Sequence, residues 1–401
     1  MKFDFPNSLI HLFILFLFCN CDKPSELKSS KDQNRTLYDH SYKLTESALV
    51  SLPLDTVTNL EYTFSEQLRV ADDGQSYFSS LFFTQNTITY YNLSTKEASK
   101  IVYTKEGENG LGNIDHISAH YFSHPNKAYI YNTQVGFLYH IDSLGVIQNK
   151  YEIVDYEAEK DVGFPQPTSF RPFKVYKDNV YFSCVMGKRP TDFSDYGMVL
   201  KYNLKTRERS YILPLPTVYN EVYWGDWYKY QVHFDVNAKA NKIVVGSAIN
   251  PYMYHADLDG KNLSEPTYFG SEYFKVIEPM KDEVTYGIDG RINWEKVGAF
   301  SKINPDFGKI IYDAYRDVYY RFVFLRASHK DPKEPGFGRT DISLIVLNTN
   351  FEKLGEFKFS TKKYFFGSIG VTEKGLWVAR KDLYAENEDE ITFSVFELSE
   401  E

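Results

Sequence analysis

One short segment of the chain occurs more than once, and it is the strongest constraint on the fold. Tyr91–Ser99 reads YNLSTKEAS, and Tyr202–Ser210 reads YNLKTRERS. Each copy ends an alternating aromatic run and enters a tight polar turn, which is the pattern of a β-hairpin. Related hairpins begin at residues 139, 254 and 346, the last after an insertion. Hairpins that recur roughly every 40–50 residues are typical of β-propellers, whose blades are four-stranded antiparallel sheets.

The strand-like runs divide into five complete four-strand units and a sixth unit with three strands. The complete units lie near 58–104, 113–154, 167–214, 228–270 and 307–359. The sixth covers 363–398, and the run Ala48–Leu54 has no other partner. If that first run completes the last unit, the ring closes and no sheet edge stays free. The sequence therefore predicts an all-β, six-bladed β-propeller closed by an N-terminal strand, with a seventh blade inside 271–307 as the alternative.

The N-terminus has the pattern of an export signal. Leu9–Phe18 is an apolar run, shorter than the roughly 20 residues that cross a bilayer as a helix. Cys21 follows it closely, as in bacterial lipoprotein signals, where this cysteine is acylated; a cleaved signal without lipid and an uncleaved anchor are the alternatives. Polar, non-periodic residues come next. We expect a lipoprotein signal peptide over 1–20, a flexible tether over 21–45 and one propeller domain over 46–401.

Charge and composition exclude several classes of function. The chain has 54 acidic and 45 basic residues and a net charge of −9, which argues against nucleic-acid binding. Outside the N-terminal pair the only cysteine is Cys184, so no disulfide is expected within the domain. His116, His120 and His124 would share one face of a helix, but Ile117–Phe122 alternates like a strand and His124 lies in a predicted turn, at the opposite rim from His116. No metal, cofactor or catalytic residue is predicted, since no P-loop, G-x-S-x-G or H-E-x-x-H motif occurs.

Long loops fall on one rim of the predicted propeller. If the strands of a blade are called a to d from the axis outward, a–b and c–d turns lie on one rim and b–c and d–a connections on the other. The a–b and c–d turns are short, whereas the other connections include 185–197, 215–228, 271–306, 326–340 and 381–390. Long loops on a rigid scaffold commonly carry binding residues. We call this side the long-loop rim and expect ligands there.

Aromatic residues on the long-loop rim are the first candidate contacts. The densest group contains Tyr223, Trp224, Asp226 and Trp227, and Trp294 lies in a second loop. Exposed aromatic rings beside a carboxylate suit stacking on a sugar or holding a peptide. The alternative is a loop that buries its aromatic side chains and plugs the channel.

Cationic residues near strand ends of the same rim are the second group of candidates. Arg171 and His233 lie at the beginnings of predicted inner strands, and Arg326 ends a second strand. Together they would present positive charge to an anionic ligand near the axis. The alternative for each is a neighbouring carboxylate partner within the protein.

The segment Tyr312–Phe322, which reads YDAYRDVYYRF, is the most distinctive in the chain. With the lipoprotein-like start and the loop Glu106–Gly112, it makes the chain resemble an uncharacterised family of six-bladed β-propeller lipoproteins of Gram-negative envelopes, a domain of unknown function. The resemblance covers 46–401 and implies a propeller in the cell envelope, without catalytic residues. Within the segment, Arg321 lies in an apolar strand and requires a carboxylate partner, which predicts a structural ion pair with Asp313. Asp317 is the alternative partner, and ligand contact is the alternative role.

Three functions remain open from the sequence. The favoured one is a lipid-anchored protein of the bacterial envelope, at the outer membrane, that binds a glycan, peptide or partner protein on the long-loop rim. The alternative is a propeller enzyme, such as a lyase or glycoside hydrolase, because propellers carry central sites without a linear motif. The third is a scaffold subunit of an envelope complex, for which a large exposed apolar patch would be required.

Overall fold

Alternating aromatic and aliphatic residues form six antiparallel sheets, which are arranged as a six-bladed β-propeller. The computed structural model describes residues 42–54, 65–156, 163–186, 192–280, 293–326 and 341–400. All of them belong to one unit, Leu37–Glu401. The predicted fold is confirmed. The alternative of a seventh blade is wrong, because the described part of 271–307 contains a helix and the start of a blade-5 strand instead of a further sheet.

The strands are numbered in chain order. The first is β1 (Tyr42–Pro53), which belongs to blade 6. Blade 1 contains β2 (Glu66–Val70), β3 (Ser76–Phe82), β4 (Thr87–Asn92) and β5 (Ala98–Val102). Blade 2 contains β6 (Ala119–His124), β7 (Lys127–Asn132), β8 (Phe137–Ile141) and β9 (Ile147–Glu152). Blade 3 contains β10 (Phe164–Pro165), β11 (Lys174–Tyr176), β12 (Asn179–Val185), β13 (Gly197–Asn203) and β14 (Arg209–Pro214).

The second half of the ring continues in the same order. Blade 4 contains β15 (Val232–Asn237), β16 (Lys242–Ser247), β17 (Tyr252–Asp257) and β18 (Thr267–Tyr268). Blade 5 contains β19 (Asp306–Asp313), β20 (Val318–Leu325), β21 (Asp341–Asn348) and β22 (Lys353–Phe359). Blade 6 contains β23 (Tyr364–Thr372), β24 (Gly375–Arg380) and β25 (Glu390–Glu400), followed by β1. The described helices are α1 (Val218–Glu221), α2 (Trp294–Ile303) and α3 (Lys381–Glu386), with 3₁₀ turns at Phe193–Asp195 and Trp227–Lys229.

The repeated hairpins have the same local structure in blades 1 and 3. The side-chain oxygen of Asn92 accepts a hydrogen bond from the backbone N–H of Ser94 at 2.8 Å, and Asn203 does the same with Lys205 at 2.9 Å. Lys96 and Arg207 occupy equivalent left-handed positions, with φ of 62° and 63°. The shared asparagine therefore fixes the same turn twice, because an Asn side chain stabilises a turn in its own backbone.

The two ends of the chain close the ring. β1 pairs with β25 in antiparallel register, from Tyr42 opposite Glu400 to Pro53 opposite Glu390. The strand begins at Tyr42, so residues 42–45 belong to the propeller and their assignment to the tether is wrong. The rest of the predicted tether and Cys21 lie outside the described residues. Within the described part of the chain, no helix combines the length and hydropathy needed to cross a bilayer.

Buried polar side chains join neighbouring blades. His120 of blade 2 is fully buried, and its Nδ1 and Nε2 atoms form hydrogen bonds with the hydroxyls of Ser65 (2.8 Å) and Ser79 (2.9 Å). Burial lowers the pKa of His120 to about 3, so the ring is neutral at physiological pH. This histidine joins blades 1 and 2 through a fully hydrogen-bonded ring, and among the described residues no group of metal-ligand side chains surrounds it.

The predicted ion pair between Asp313 and Arg321 is wrong. The register of β19 with β20 places Arg321 opposite Ile310, several positions from Asp313. Asp313 instead accepts a hydrogen bond from Nη1 of Arg316, in the adjacent turn, at 2.9 Å. Arg321 reaches into blade 4, where Nη2 donates to the backbone carbonyl of Ser247 at 2.9 Å.

A glycine makes room for the Arg321 guanidinium in blade 4. A Cβ atom at Gly246 would lie 3.1 Å from Cζ of Arg321, closer than packed atoms tolerate without a shift. Asp317, the alternative partner, accepts a hydrogen bond from the hydroxyl of Tyr312 at 2.6 Å. Arg321 is therefore held by backbone and packing, with no carboxylate paired to it among the described residues.

Candidate ligand-binding site

Two cavities open from opposite ends of the ring of inner strands. The first, of about 760 Å³, is lined by the beginnings of the inner strands of blades 3 to 6 and by residues of the long-loop rim. We call it the loop-side cavity. The second, of about 810 Å³, is lined by all six blades near the a–b turns, and we call it the turn-side cavity. The walls of the loop-side cavity are strongly aromatic, with Phe170, Trp227, Tyr228, Phe307, Phe324, Phe365 and Tyr384.

A break in the inner strand of blade 3 brings Arg171 to the loop-side cavity. β10 and β11 both pair with β12, and the chain between them forms a turn in which Thr168 and Arg171 exchange backbone hydrogen bonds of 3.1 and 2.9 Å. Ser169 fixes this turn from two sides. Its carbonyl accepts a bond from Nζ of Lys309 (3.0 Å), and its hydroxyl accepts one from the backbone N–H of Glu66 (3.1 Å).

Arg171 is a buried cation without an anionic partner among the described residues. Its side chain is 7% exposed, and its Nη1 atom has no hydrogen-bond partner in the described part of the chain. Its Cζ atom lies 5.3 Å from the centre of the Trp227 ring, a cation–π contact. Burial lowers the pKa of Arg171 to about 10, so the guanidinium still carries its charge at neutral pH.

Arg171 and His233 form the inner end of the loop-side cavity. Both also line a small space of about 10 Å³, whose far side is formed by Lys309 of the turn-side cavity. A space of this size holds at most about one water molecule. The two larger cavities are separate, and we call Arg171, His233 and the neighbouring Gln231 the floor of the loop-side cavity.

His233 is neutral at the cavity floor. Burial lowers its pKa well below the ordinary value, and the nearby charges of Arg321 and Arg171 lower it further. Its Nδ1 atom has no hydrogen-bond partner among the described residues. Nε2 of Gln231, two positions earlier in the chain, is also buried and also has no hydrogen-bond partner among the described residues.

A second group of cations shares a single carboxylate beside the floor. Nη2 of Arg326 lies 3.0 Å from each oxygen of Asp306. Nζ of Lys229 lies 3.7 Å from the same carboxylate and donates to the carbonyls of Asn304 and Pro305. Burial lowers the pKa of Lys229 to about 8. Arg326 therefore has the protein partner that the alternative interpretation expected, whereas Arg171 has none in the described part.

The predicted aromatic group divides between the cavity and the core. Trp227 lines the cavity and is 48% exposed, whereas Trp224 is 4% exposed and donates from Nε1 to the carbonyl of Val218 at 3.2 Å. Tyr223 is half-buried and forms a backbone bridge to Met280. Asp226 caps the 3₁₀ turn by accepting from the N–H of Trp227 at 2.7 Å. Trp224 thus packs in the core, as the packing interpretation expected, whereas Trp227 faces the loop-side cavity.

Trp294 stands apart from both cavities as the described residues form them. It begins α2 and is 65% exposed. Of the eight predicted ligand contacts, the structure brings four together at the loop-side cavity: Arg171, Trp227, His233 and Arg326. The other four are Tyr223, Trp224, Asp226 and Trp294, of which Trp224 serves core packing and Asp226 the 3₁₀ turn.

Several residues of the cavity were not predicted from the sequence. They include Phe170, Gln231, Asp306, Phe365 and Arg380. Phe170 lies in the turn between β10 and β11, and each of the others is a single residue at or next to the beginning or end of a strand, outside any linear motif. One available signal was position, because residues at the beginnings of inner strands meet at the same end of a propeller axis.

The fold and the cavity define a six-bladed propeller whose loop-side cavity has a cation at its floor and aromatic side chains in its walls. Comparison with protein families matches residues 41–358 to a domain of unknown function, DUF4221, and the chain belongs to this family. The comparison with curated proteins gives no match.

Solved structures resemble the chain in fold. A DUF4221 protein from Bacteroides vulgatus is 22% identical, with a TM-score of 0.73 over 90% of this chain and 99% of that chain. A Bacteroides fragilis protein classed as exported is 10% identical, with a TM-score of 0.51 over 90% of this chain and 96% of that chain. At these identities the similarity shows a common propeller architecture.

Proposed function

We propose that this protein is a lipid-anchored envelope protein whose propeller binds an anionic ligand in the loop-side cavity. The observation that carries the proposal is Arg171. A buried guanidinium without a carboxylate partner is unfavourable, since desolvation is not offset by an ion pair. An anionic ligand would supply the missing partner at the cavity floor.

The charge around the floor supports this choice of ligand. The whole chain has a net charge of −9, but Arg326 and Lys229 both contact the carboxylate of Asp306, which lines the same cavity as Arg171. Arg380, farther along the wall, is already paired with Asp382 at 2.6 Å. A low-dielectric cavity with excess positive charge favours anions over neutral molecules.

The N-terminal pattern supports an envelope location. An apolar run of lipoprotein-signal length precedes Cys21, and the structural relatives include a protein classed as exported. Acylation of Cys21 would hold the propeller at a membrane, and we propose the outer membrane of a bacterial envelope. The membrane is then one partner, and the ligand of the loop-side cavity is the other.

The test measures binding to the purified full-length protein in detergent. Tryptophan fluorescence reports on the site, because Trp227 contacts Arg171. The probes are digalacturonic acid, a sulfated disaccharide, a short peptide with a free C-terminus and inorganic phosphate, each beside a neutral counterpart. We expect at least one anionic probe to bind more tightly than its neutral counterpart, and Arg171→Gln to weaken that binding by about 10- to 100-fold, as for a charged hydrogen bond.

A matched control is Lys374→Gln, in an exposed turn of the opposite rim, which should leave binding unchanged. Arg171→Met should also raise the thermal stability of the ligand-free protein, because it removes an uncompensated buried charge. If every anionic probe binds no better than its neutral counterpart, or if binding survives Arg171→Gln, the proposal fails.

His233 favours a second candidate, catalysis on an anionic substrate. It is a neutral imidazole whose Nδ1 atom has no partner among the described residues, and in one tautomer this nitrogen can donate a hydrogen bond to negative charge that develops on a bound substrate. Prolonged incubation with the tightest probe, followed by mass spectrometry, separates the two functions. Unchanged probe supports binding alone, whereas a product that disappears with His233→Phe supports catalysis.

A further inference from the structure

The buried nitrogen atoms of the cavity floor that have no partner among the described residues indicate a chemical class of ligand. Arg171, Gln231 and His233 are 7%, 3% and 7% exposed, and each has one nitrogen without a partner among the described residues. Buried polar atoms without partners are rare in folded proteins. The arginine and amide nitrogens are donors, and the imidazole nitrogen donates in one of its two tautomers. The floor therefore matches a group made only of acceptors, such as a carboxylate.

The mouth of the cavity matches a different part of the ligand. Trp227 is half-exposed, and Phe365 also presents an exposed ring to the cavity. Flat aromatic faces pack well against the C–H face of a sugar ring. The volume of about 760 Å³ lies within the range of small-molecule sites and leaves room for more than one sugar unit.

The small space beside the floor limits how a longer molecule can bind. That space, next to Arg171 and His233, is about 10 Å³ and does not admit a chain. A glycan whose terminal unit reaches the floor places its charged group toward Arg171 and its following units toward Trp227.

We propose that the loop-side cavity binds the terminal acidic sugar of a glycan, with its carboxylate on Arg171 and Gln231 and its ring against Trp227. This inference rests on the proposed binding of an anion at Arg171. A peptide C-terminus fits less well, because the amide N–H beside its carboxylate needs an acceptor and the open atoms of Arg171 and Gln231 are donors. Sugar hydroxyls both donate and accept, so they suit either tautomer of His233.

The experiment compares ligands and variants of the full-length protein by isothermal titration calorimetry. The ligands are digalacturonic acid, its methyl ester, and two trisaccharides whose single uronic acid is terminal or central. We expect the free acid to bind at least tenfold more tightly than the ester, and the terminal acid at least tenfold more tightly than the central one. Gln231→Leu should weaken binding of the free acid by about tenfold, as for one lost hydrogen bond to a charged group.

Tryptophan variants test the aromatic mouth. Trp227→Ala should weaken binding of the acidic disaccharide by about tenfold or more, in the range measured for aromatic stacking contacts. Trp294→Ala is the matched control, because this tryptophan is 65% exposed outside the cavity, and it should have no effect.

The outcomes separate this inference from the proposed function. A free C-terminal peptide that binds as tightly as the acidic disaccharide, or equal binding of terminal and central acids, overturns the inference while anion binding at Arg171 stands. If the Trp227→Ala variant binds the acidic disaccharide as tightly as the wild type does, the inference is also overturned. If none of the anionic ligands binds, both proposals fail.

Discussion

The ammonium group of Lys309 donates a hydrogen bond of 3.0 Å to the backbone carbonyl of Ser169, two residues before Arg171. A lysine that lines the turn-side cavity thus supports the turn that forms the floor of the loop-side cavity. Burial lowers the pKa of Lys309 to about 7, so this support changes its charge in the neutral range.

The first prediction concerns the pH dependence of stability. The pKa of Lys309 is about 7 in the folded protein and 10.5 for the free side chain, so between these values the unfolded chain binds more protons. The free energy of unfolding therefore rises with pH in this window and loses this contribution as pH falls toward 7. When the pH is raised from about 7 to about 9, the free energy of urea unfolding of the wild type should increase by about 2 kcal/mol relative to that of Lys309→Met.

The matched control for Lys309 is Lys374→Met, because Lys374 is an exposed lysine on an a–b turn. The difference in unfolding free energy between this variant and the wild type should stay constant across the same pH range. A constant difference for Lys309→Met as well would contradict the prediction.

The second prediction concerns the carboxylate that two cations share. Asp306→Asn removes the carboxylate that Arg326 and Lys229 contact, and it leaves the fully buried Lys229 without an anionic partner in the described part of the chain. We expect a loss of about 3–5 kcal/mol in the free energy of unfolding, because the remaining charges stay desolvated. Asp178→Asn breaks an exposed pair with Lys205 of 2.8 Å and should cost less than about 1 kcal/mol. Equal losses in the two variants would argue against a buried network.

The third prediction tests the closure of the ring. Leu52 of β1 is fully buried in blade 6, whereas Leu49 of the same strand is exposed. Leu52→Ala should lower the free energy of unfolding by about 2–5 kcal/mol, as for other buried leucines. Leu49→Ala should change it by less than about 0.5 kcal/mol. Chemical denaturation of both variants checks this, and similar stability of the two would show that β1 contributes little to closure.

The fourth prediction tests the proposed lipid anchor. Replacing Cys21 with Ser removes the thiol that would be acylated, so labelled palmitate should no longer be incorporated and the protein should leave the membrane fraction. Cys19→Ser, two residues earlier, is the matched control and should keep both properties. Membrane retention of the Cys21 variant would refute lipid anchoring at this residue.

The blades could be predicted because each strand has one or two buried faces, which imposes an alternation visible in the sequence. The beginning of β1 could not be predicted in this way. Residues 42–45 pair with 397–400 at the outer end of blade 6, where side chains of both strands are largely exposed. Tyr42 and Leu44 are half-buried and alternate with the exposed Lys43 and Thr45, but so short a run beside a polar segment resembles a linker. Alternation over one or two residue pairs does not identify a strand.

The site was predictable only in part, because it is assembled from distant segments. Gln231 and Asp306 belong to blades 4 and 5, and they line one cavity with Arg171 of blade 3 only in the folded propeller. Local structure sets a second limit. Trp224 and Trp227 are three residues apart in one aromatic stretch, yet a 3₁₀ turn beginning at Trp227 exposes one ring while the other packs in the core. No pattern in the sequence distinguishes them.

The pairing of β1 with β25 has a consequence for biogenesis. The earliest part of the domain to be synthesised finds its partner only when the last dozen residues have been made and released. Until then, the two free edges of the nascent ring are open to other strands, a situation that promotes aggregation. A chain truncated near its C-terminus would thus lose a strand at both ends of the molecule, since β1 would remain without a neighbour.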